Sequence, residues 1–397
     1  MASTENISLS SRPSFFWTFW AVFSGGFMAF FPTNPQIFPD IPRSLNFIIA
    51  PILTSIGQVF WPGSTIDQTI LSDSKSMYAL VFFLSIVGLV TASVMHIRKH
   101  RMTQKTLYWI QVIIRYYLAY QLMHYGFNKV FKWQFFLPEP NIVYSQIGWV
   151  SRELLYWSAI GSSYWFTVIA GGLEVLAGAC LLFRKSLRIG LVLSLILLSN
   201  VVLINFTFNI SVKLFSLFLL SNVVVLLSRH WSAIIGFIQN KPVQLNQFSP
   251  TFKSTKQLVY SITKSITILL ILIDSIWVYG KSGNWNDDEQ PRPHLHGAYS
   301  VSGQMATEWK EVYCHRKSYF IVKTTKGNTL SYRMAIDTAN HVIQLRGTDE
   351  DIELEYVILE NANVSMHFIH DEFLITLTPL PYETLPLFEK QFDWWID

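Results

Sequence analysis

Four polar residues stand where an apolar helix has least use for them. Arg115, Glu174, Asn200 and Asn222 interrupt long hydrophobic stretches of the 397-residue chain. A charge held in hydrocarbon is costly, so such residues usually face a bundle interior or a cavity. Arg115 stands eight residues into a stretch that begins at 107, about 12 Å deep at 1.5 Å per residue. Glu174 stands twelve residues into a stretch that begins at 162, about 18 Å down a hydrocarbon core about 30 Å thick. Antiparallel helices would bring the two near one depth, with Asn200 and Asn222 close to the same midplane. The expectation is one buried cluster in which Arg115 orients a substrate or stabilises developing negative charge. Glu174 would be its partner or a proton donor. The same pair would serve equally as a structural ion pair that fixes helix register, with the asparagines as interhelical glue.

A second tier follows on the same helices. His124, Tyr125, Asn128 and Lys129 continue the Arg115 segment, Asn205 lies near the end of a later one, and Lys213 opens the next. Arg115, Leu118, Leu122, Tyr125 and Lys129 recur every three or four residues and so share one helix face. That face would line a path from the surface to the midplane. Lys129, Lys132 and Lys213 at its mouth would draw an anionic or electron-rich head group. Lys264 and Asp274 share another segment, about 15 Å apart along its axis. That is too far for a direct pair: Lys264 reads as snorkelling toward the inner side, and Asp274 is the odder of the two, with a structural role weighed above a functional one.

These residues need a membrane to position them. The chain is 51% hydrophobic and 14% charged, against about 25% charged in soluble domains. Seven stretches have the length and apolarity of spans: 14–32, 77–97, 107–130, 162–183, 188–209, 212–228 and 257–280. The first follows Arg12 and lacks a small-residue cleavage site, so it reads as an uncleaved anchor. A further apolar piece, Phe47 to Trp61, is broken by Pro51 and Gly57 and reads as interfacial or re-entrant rather than an eighth span.

Basic residues set the expected orientation. Arg98, Lys99, Arg101 and Lys105 cluster in one loop, Arg184, Lys185 and Arg188 in another, and Arg229, Lys241, Lys253 and Lys256 in a third. Seven spans put all three loops on one side, which the positive-inside rule makes cytoplasmic. The N-terminus is then inside the cytoplasmic (inner) membrane, and the C-terminal domain is extracytoplasmic.

From Lys281 the pattern changes. Residues 281–397 hold 10 Lys/Arg and 18 Asp/Glu, whereas 1–280 hold 20 and 8. Eight short alternating runs separated by turn residues predict an antiparallel all-β barrel or sandwich. They are Ala298–Ser302, Lys310–Cys314, Tyr319–Thr324, Thr329–Met334, His341–Arg346, Ile352–Ile358, Val364–Ile369 and Phe373–Pro379. The fold class is thus a membrane helical bundle with a C-terminal all-β domain. Its expected divisions are 1–106, 107–230, 231–280 and 281–397.

No basic stripe interleaved with aromatics suggests nucleic acid. No metal or nucleotide motif is present, and Cys180 and Cys314 lack the spacing of a disulfide framework or dithiol centre.

Residues 115–228 resemble DoxX-like membrane proteins of a bacterial branch with an added soluble domain. The matching pieces are Arg115 to Tyr120 with Tyr125 to Lys129, Gly171 to Gly178 with Leu182 to Lys185, Asn200 to Asn205, and Val212 to Ser216. In the tail they are Gly297 to Tyr299, Thr307 to Lys310 and Phe392 to Trp395. The resemblance implies a four-helix core at spans three to six. It also implies a link to quinone-coupled oxidation of sulfur compounds or to redox-stress complexes. It transfers no catalytic residue. Two functions follow as expectations. One is a redox or quinone/lipid-linked enzyme subunit whose apolar substrate, a quinone or other isoprenoid, enters between spans three to six. The other is a non-enzymatic scaffold that binds a protein partner through the β-domain.

Overall fold

The computed structural model describes residues 15–31, 35–37, 41–67, 70, 72–100, 102–231, 235–236, 239–240, 254–303, 308–347, 351–359, 362–369 and 373–388. Arg12, Arg101, Lys241, Lys253, Thr307 and the Phe392 to Trp395 motif lie outside them. Two compact units result: Met1–Phe131 with Val168–Trp285, and Lys132–Thr167 with Asn286–Asp397. The chain is a helical membrane part plus a closed β-barrel, as its two hydropathy patterns require.

The helical unit contains α1 (Phe15–Phe30), α2 (Ile41–Phe60), α3 (Lys75–Ile97) and α4 (Gln104–Val130). Two short helices of the other unit, α5 (Pro140–Val143) and α6 (Arg152–Ser162), precede α7 (Tyr164–Leu182). Then come α8 (Leu187–Thr207), α9 (Lys213–Ser228) and α10 (Ser254–Ser282). By length and composition α3, α7, α8 and α10 are able to cross a membrane, and α1, α9 and Leu45–Phe60 of α2 are shorter apolar helices. The 27 residues of α4 have the length, but Lys105, Arg115, Gln121, His124 and Lys129 lower its apolarity.

The broken reading of Phe47 to Trp61 gives way to one continuous helix. Pro51 lies inside α2, whose Ile49 and Leu53 are buried in the helical core. Its placement follows from its neighbours. Gly26 of α1 meets Leu84 of α3, and Gly88 of α3 meets Phe19 of α1, so α1 and α3 run antiparallel. The Phe15 ring accordingly lies 6.4 Å from His96 at the far end of α3. α2 lies in the chain between the end of α1 and the start of α3, which share one end of the unit. At the opposite end, near the start of α1, lie Arg98, Lys99 and Lys105, with Arg229 over the Trp17 ring at 6.0 Å. This is the basic end of the unit. α10 starts there, with Tyr260 bonded to Tyr108, and finishes at the other, where Tyr279 bonds Asn128.

The barrel is a meander of eight strands: β1 (Gly297–Gly303), β2 (Trp309–His315), β3 (Tyr319–Thr324), β4 (Thr329–Asp337), β5 (Val342–Arg346), β6 (Asp351–Ile358), β7 (Val364–Phe368) and β8 (Leu374–Leu380). All neighbours are antiparallel, and β1 also pairs β8, with Val301 opposite Leu377. Closure leaves no free sheet edge. Alternate residues point inward, as in β7, where Val364, Met366 and Phe368 are buried and Ser365 and His367 only half-buried. Phe320, Val322, Ile343, Leu345, Leu354 and Ile375 fill the interior with Cys314. Burial pushes the Cys314 thiol up to about 12, so it carries no reactive thiolate.

Candidate functional site

Glycines fix how α4 meets α7. A Cβ on Gly171 would stand 2.5 Å from the Gly126 carbonyl oxygen, and one on Gly178 would stand 2.9 Å from that of Ala119. Backbones this close leave no room for a side chain, which is how small residues let apolar helices associate. The contacts also set the register. Glu174, between the two glycines of α7, faces α4 near residues 122–126. Arg115 lies roughly 13 Å farther along that axis.

Glu174 therefore pairs with Lys129 and not with Arg115. Lys129 Nζ stands 2.5 Å from Glu174 Oε1, and both side chains are buried. The expected Arg115–Glu174 pair is corrected by a register that depth counted from the ends of spans does not contain. Lys129, placed by sequence at a surface mouth, is instead the buried partner. The second oxygen of Glu174, Oε2, is buried and has no hydrogen-bond partner. Tyr125 stands one turn before Lys129 on α4.

Around this pair the same face of α4 continues with Gln121, 2% exposed, whose Nε2 is also without a partner. Asn205, near the end of α8, is buried with an unpartnered Nδ2. His124 lies on the flank of α4 that turns toward α10. Its ring sits 6.0 Å from Tyr120 and 5.8 Å from Tyr125, and its Nδ1 has no partner. On that flank Asn128 Oδ1 accepts from the Tyr279 hydroxyl at 2.8 Å.

The remaining candidates separate from the pair. Asn222 is fully buried but satisfied: its Oδ1 accepts from Trp20 Nε1 and Ser24 Oγ, each at 3.0 Å, and its amide donates to the Phe218 carbonyl. It ties α9 to α1. Asn200 is exposed on the outer face of α8 and belongs to no buried cluster. α8 is apolar all round, so its sequence does not disclose which face turns inward. Lys213 stands 3.6 Å from Asp73, whose carboxylate accepts the backbone N–H groups of Lys213 and Leu214 and so caps α9. Lys132 is fully buried in the other unit, 3.2 Å from Asp288 and 2.6 Å from the Gly161 carbonyl. The expected cationic mouth of Lys129, Lys132 and Lys213 is thus neutralised, each lysine by its own carboxylate.

Asp274 has a structural explanation. It accepts the backbone N–H groups of Gln36 and Ile37 at 2.9 and 2.8 Å, and the Tyr120 hydroxyl at 2.9 Å. It anchors the chain between α1 and α2.

The barrel unit holds a polar centre that sequence reasoning missed. Glu139, between Pro138 and Pro140, is 3% exposed and accepts from the Arg316 backbone N–H at 3.0 Å and from the Arg316 side chain. His296 Nε2 lies 3.2 Å away and His315 Nε2 3.7 Å. Burial alone would raise its pKa, but the His296 hydrogen bond and the charges of Arg316 and His315 win and hold it at about 2. Its partners lie some 160–180 residues away, so no local spacing signals them. Beside it opens a cavity of about 320 Å³, lined by Phe136, Ile142, Leu154, Trp157, His315 and Tyr319 among others. Trp157 Nε1 and Asn141 Oδ1 of this lining are buried without partners. Among the described residues no group of three or more His, Cys, Asp or Glu is arranged to hold a metal ion.

No family model and no solved structure matches the chain. It is similar to the uncharacterised protein YwoB of Bacillus subtilis (strain 168), with 28% identity over 138 residues, which are 35% of this chain and 88% of that protein.

Proposed function

We propose that the helical unit is a DoxX-like membrane enzyme subunit that binds an oxygen-bearing apolar substrate, a quinone or other isoprenoid, at Lys129 and Glu174. One observation carries this reading: a buried ion pair whose carboxylate keeps one oxygen without a partner. Withdrawing two charges from water costs several kcal/mol per ion, and an apolar pair of like volume would often be as stable. Such a pair inside apolar helices points to use. An ammonium donates to a carbonyl oxygen, and a carboxylate accepts from a hydroxyl. The two side by side are complementary to both the oxidised and the reduced oxygen of a quinone and can pass a proton to it. His124 and Tyr125 flank the pair on α4.

In this proposal the protein lies in the bacterial inner membrane, with its basic end cytoplasmic and the barrel periplasmic. The run of basic residues at the end where α1 begins supports that orientation. The test is titration of the purified protein with a short-chain ubiquinone, followed by tryptophan fluorescence. Glu174→Gln keeps the shape and removes the charge. It is expected to weaken binding about ten-fold or more, the scale of one charge-assisted hydrogen bond, and to lower the melting temperature because Lys129 is left buried without its counter-charge, so both proteins are titrated below the variant's transition. Equal binding by both proteins would refute the site.

A second reading rests on the 320 Å³ cavity of the barrel unit. Its apolar lining and two unpartnered polar atoms suit a partner's inserted side chain or a small apolar ligand. In that reading the barrel is the recognition surface and the helices its anchor. Trp157→Ala, which enlarges the cavity and removes one donor, would then abolish capture of the partner and leave quinone binding unchanged.

A further inference from the structure

Strand β3 turns Phe320 and Val322 into the barrel, so Tyr319 and Ile321 point outward, with Ser331 of β4 opposite Ile321. Both outward side chains are half-buried, because residues 136–158 of the same unit lie against this wall. Leu154, Trp157 and Ser158 recur at helical spacing and share the face of α6 that turns to it. Glu139 pins the segment, through the Arg316 backbone N–H, to the turn between β2 and β3. The space left between wall and segment is the cavity of about 320 Å³. At about 30 Å³ for a water in the liquid, it has room for roughly ten non-hydrogen atoms.

Polar groups on the lining have bonding capacity to spare. Trp157 Nε1 is a buried donor without a partner, and Asn141 Oδ1 is a buried acceptor without one. His315 adds a second donor. Its Nδ1 accepts the Lys317 backbone N–H at 3.0 Å, and burial lowers its pKa, so the ring is neutral with its proton on Nε2. That Nε2 lies 3.7 Å from Glu139, beyond hydrogen-bond reach. Two donors and one acceptor complement a hydroxyl, which has two lone pairs and one proton. Ions fit less well. The Glu139 carboxylate, held ionised, stands in the lining and repels an anion. The aromatic faces that would hold a cation are taken, Phe136 by Arg316 at 4.3 Å and Tyr319 by Arg333 at 4.1 Å.

We propose that this cavity binds a small neutral alcohol or phenol, its apolar body against Phe136, Ile142, Leu154 and Ile321 and its hydroxyl among Trp157, Asn141 and His315. The inference rests on the reading in which the barrel unit is the recognition element, and it commits the cavity to a small molecule. Among the larger side chains only tyrosine joins an apolar body to a hydroxyl, so most inserted side chains would leave these polar groups unsatisfied. The site is independent of the Lys129–Glu174 pair.

The full chain in lipid nanodiscs is titrated with benzyl alcohol, benzoate and benzylammonium, probes of similar size, and followed by saturation-transfer NMR against empty nanodiscs. Benzyl alcohol is expected to bind at least ten-fold tighter than either ion, which would lose its hydration without a counter-charge. Trp157→Phe keeps a ring against Phe135 and removes the N–H. It is expected to weaken the alcohol about five-fold, the scale of one neutral hydrogen bond, without lowering the melting temperature, because that N–H has no partner within the protein. Asn141→Ala is expected to weaken it about as much and serves if Trp157→Phe does not fold. The proposal is overturned if the native chain does not bind benzyl alcohol, if the ions bind as tightly, or if both variants bind as the native chain does. Failure to bind the alcohol while Trp157→Ala still abolishes partner capture overturns this inference alone. Binding of the alcohol with partner capture intact in Trp157→Ala supports the site and overturns the recognition role of the barrel.

Discussion

Helix α4 buries two cations, Lys129 near its end and Arg115 near its middle, and treats them differently. Lys129 has Glu174 at 2.5 Å on the helix beside it. Arg115, 14 residues earlier and about 21 Å away along the axis, has aromatic rings and phenols but no described carboxylate. A neutralised pair can hold a neutral oxygen and exchange a proton with it. An unneutralised guanidinium calls for an anion. Distinct chemistries on one helix face explain why a single cluster at one depth was the wrong picture. Glycine contacts place Glu174 beside the end of α4 that carries Lys129.

The largest test of that contrast breaks the pair. Lys129→Met alone leaves a buried carboxylate with no cation, and a loss of about 3–5 kcal/mol is expected. The double variant Lys129→Met with Glu174→Met removes both charges and is expected to recover most of it. Thermal unfolding of the single and double variants measures both. A double variant no better than the single one would mean that the pair itself holds α4 to α7.

The acid response of the barrel unit comes next in size. Glu139 ionises near 2 in the folded chain against an ordinary value of 4.5. Its folded pKa is lowered, so the ionised form stabilises the fold above about pH 4.5 and that contribution is lost as pH falls toward 2. The difference corresponds to about 3 kcal/mol at neutral pH. Hydrogen exchange of β2 in the full chain, followed downward from pH 5, is expected to accelerate through this window, and Glu139→Gln to flatten the dependence. An unchanged pH profile in that variant would assign the acid response to other groups.

The smallest contrast separates the two asparagines. Asn222→Ala leaves the Trp20 and Ser24 donors buried without an acceptor, and a loss of about 1–3 kcal/mol is expected. Asn200→Ala, on an exposed face, is expected to stay within about 0.5 kcal/mol of the native protein. Melting temperatures of the two variants check the order, and a larger loss at Asn200 would give that residue a partner in the membrane.

What was legible in the sequence follows from period and length. Strand β5 alternates Ile343 and Leu345 inward with Gln344 and Arg346 outward, and a two-residue repeat needs no partner to be read. The ends of all eight strands fall within a few residues of the runs that predicted them. The apolar helices were equally plain except α2, where Pro51 and Gly57 read as breaks in what is one helix. Pairing was not. The Lys129–Glu174 contact depends on Gly126 and Gly171, whose role as the closest approach of two helices is a matter of register rather than composition. Asn200 was misplaced because α8 offers no polar face to orient it. Lys132 and Glu139 find their partners at Asp288 and Arg316, more than 150 residues on, beyond any local pattern.

The most direct measurement is the mass of small molecule retained by the intact protein in mild detergent, compared among the native chain, Glu174→Gln and Arg115→Gln. A quinone or other isoprenoid present in the native protein, lost in Glu174→Gln and kept in Arg115→Gln, is the predicted result. Retention in Glu174→Gln with loss in Arg115→Gln would contradict it and move the substrate site to Arg115.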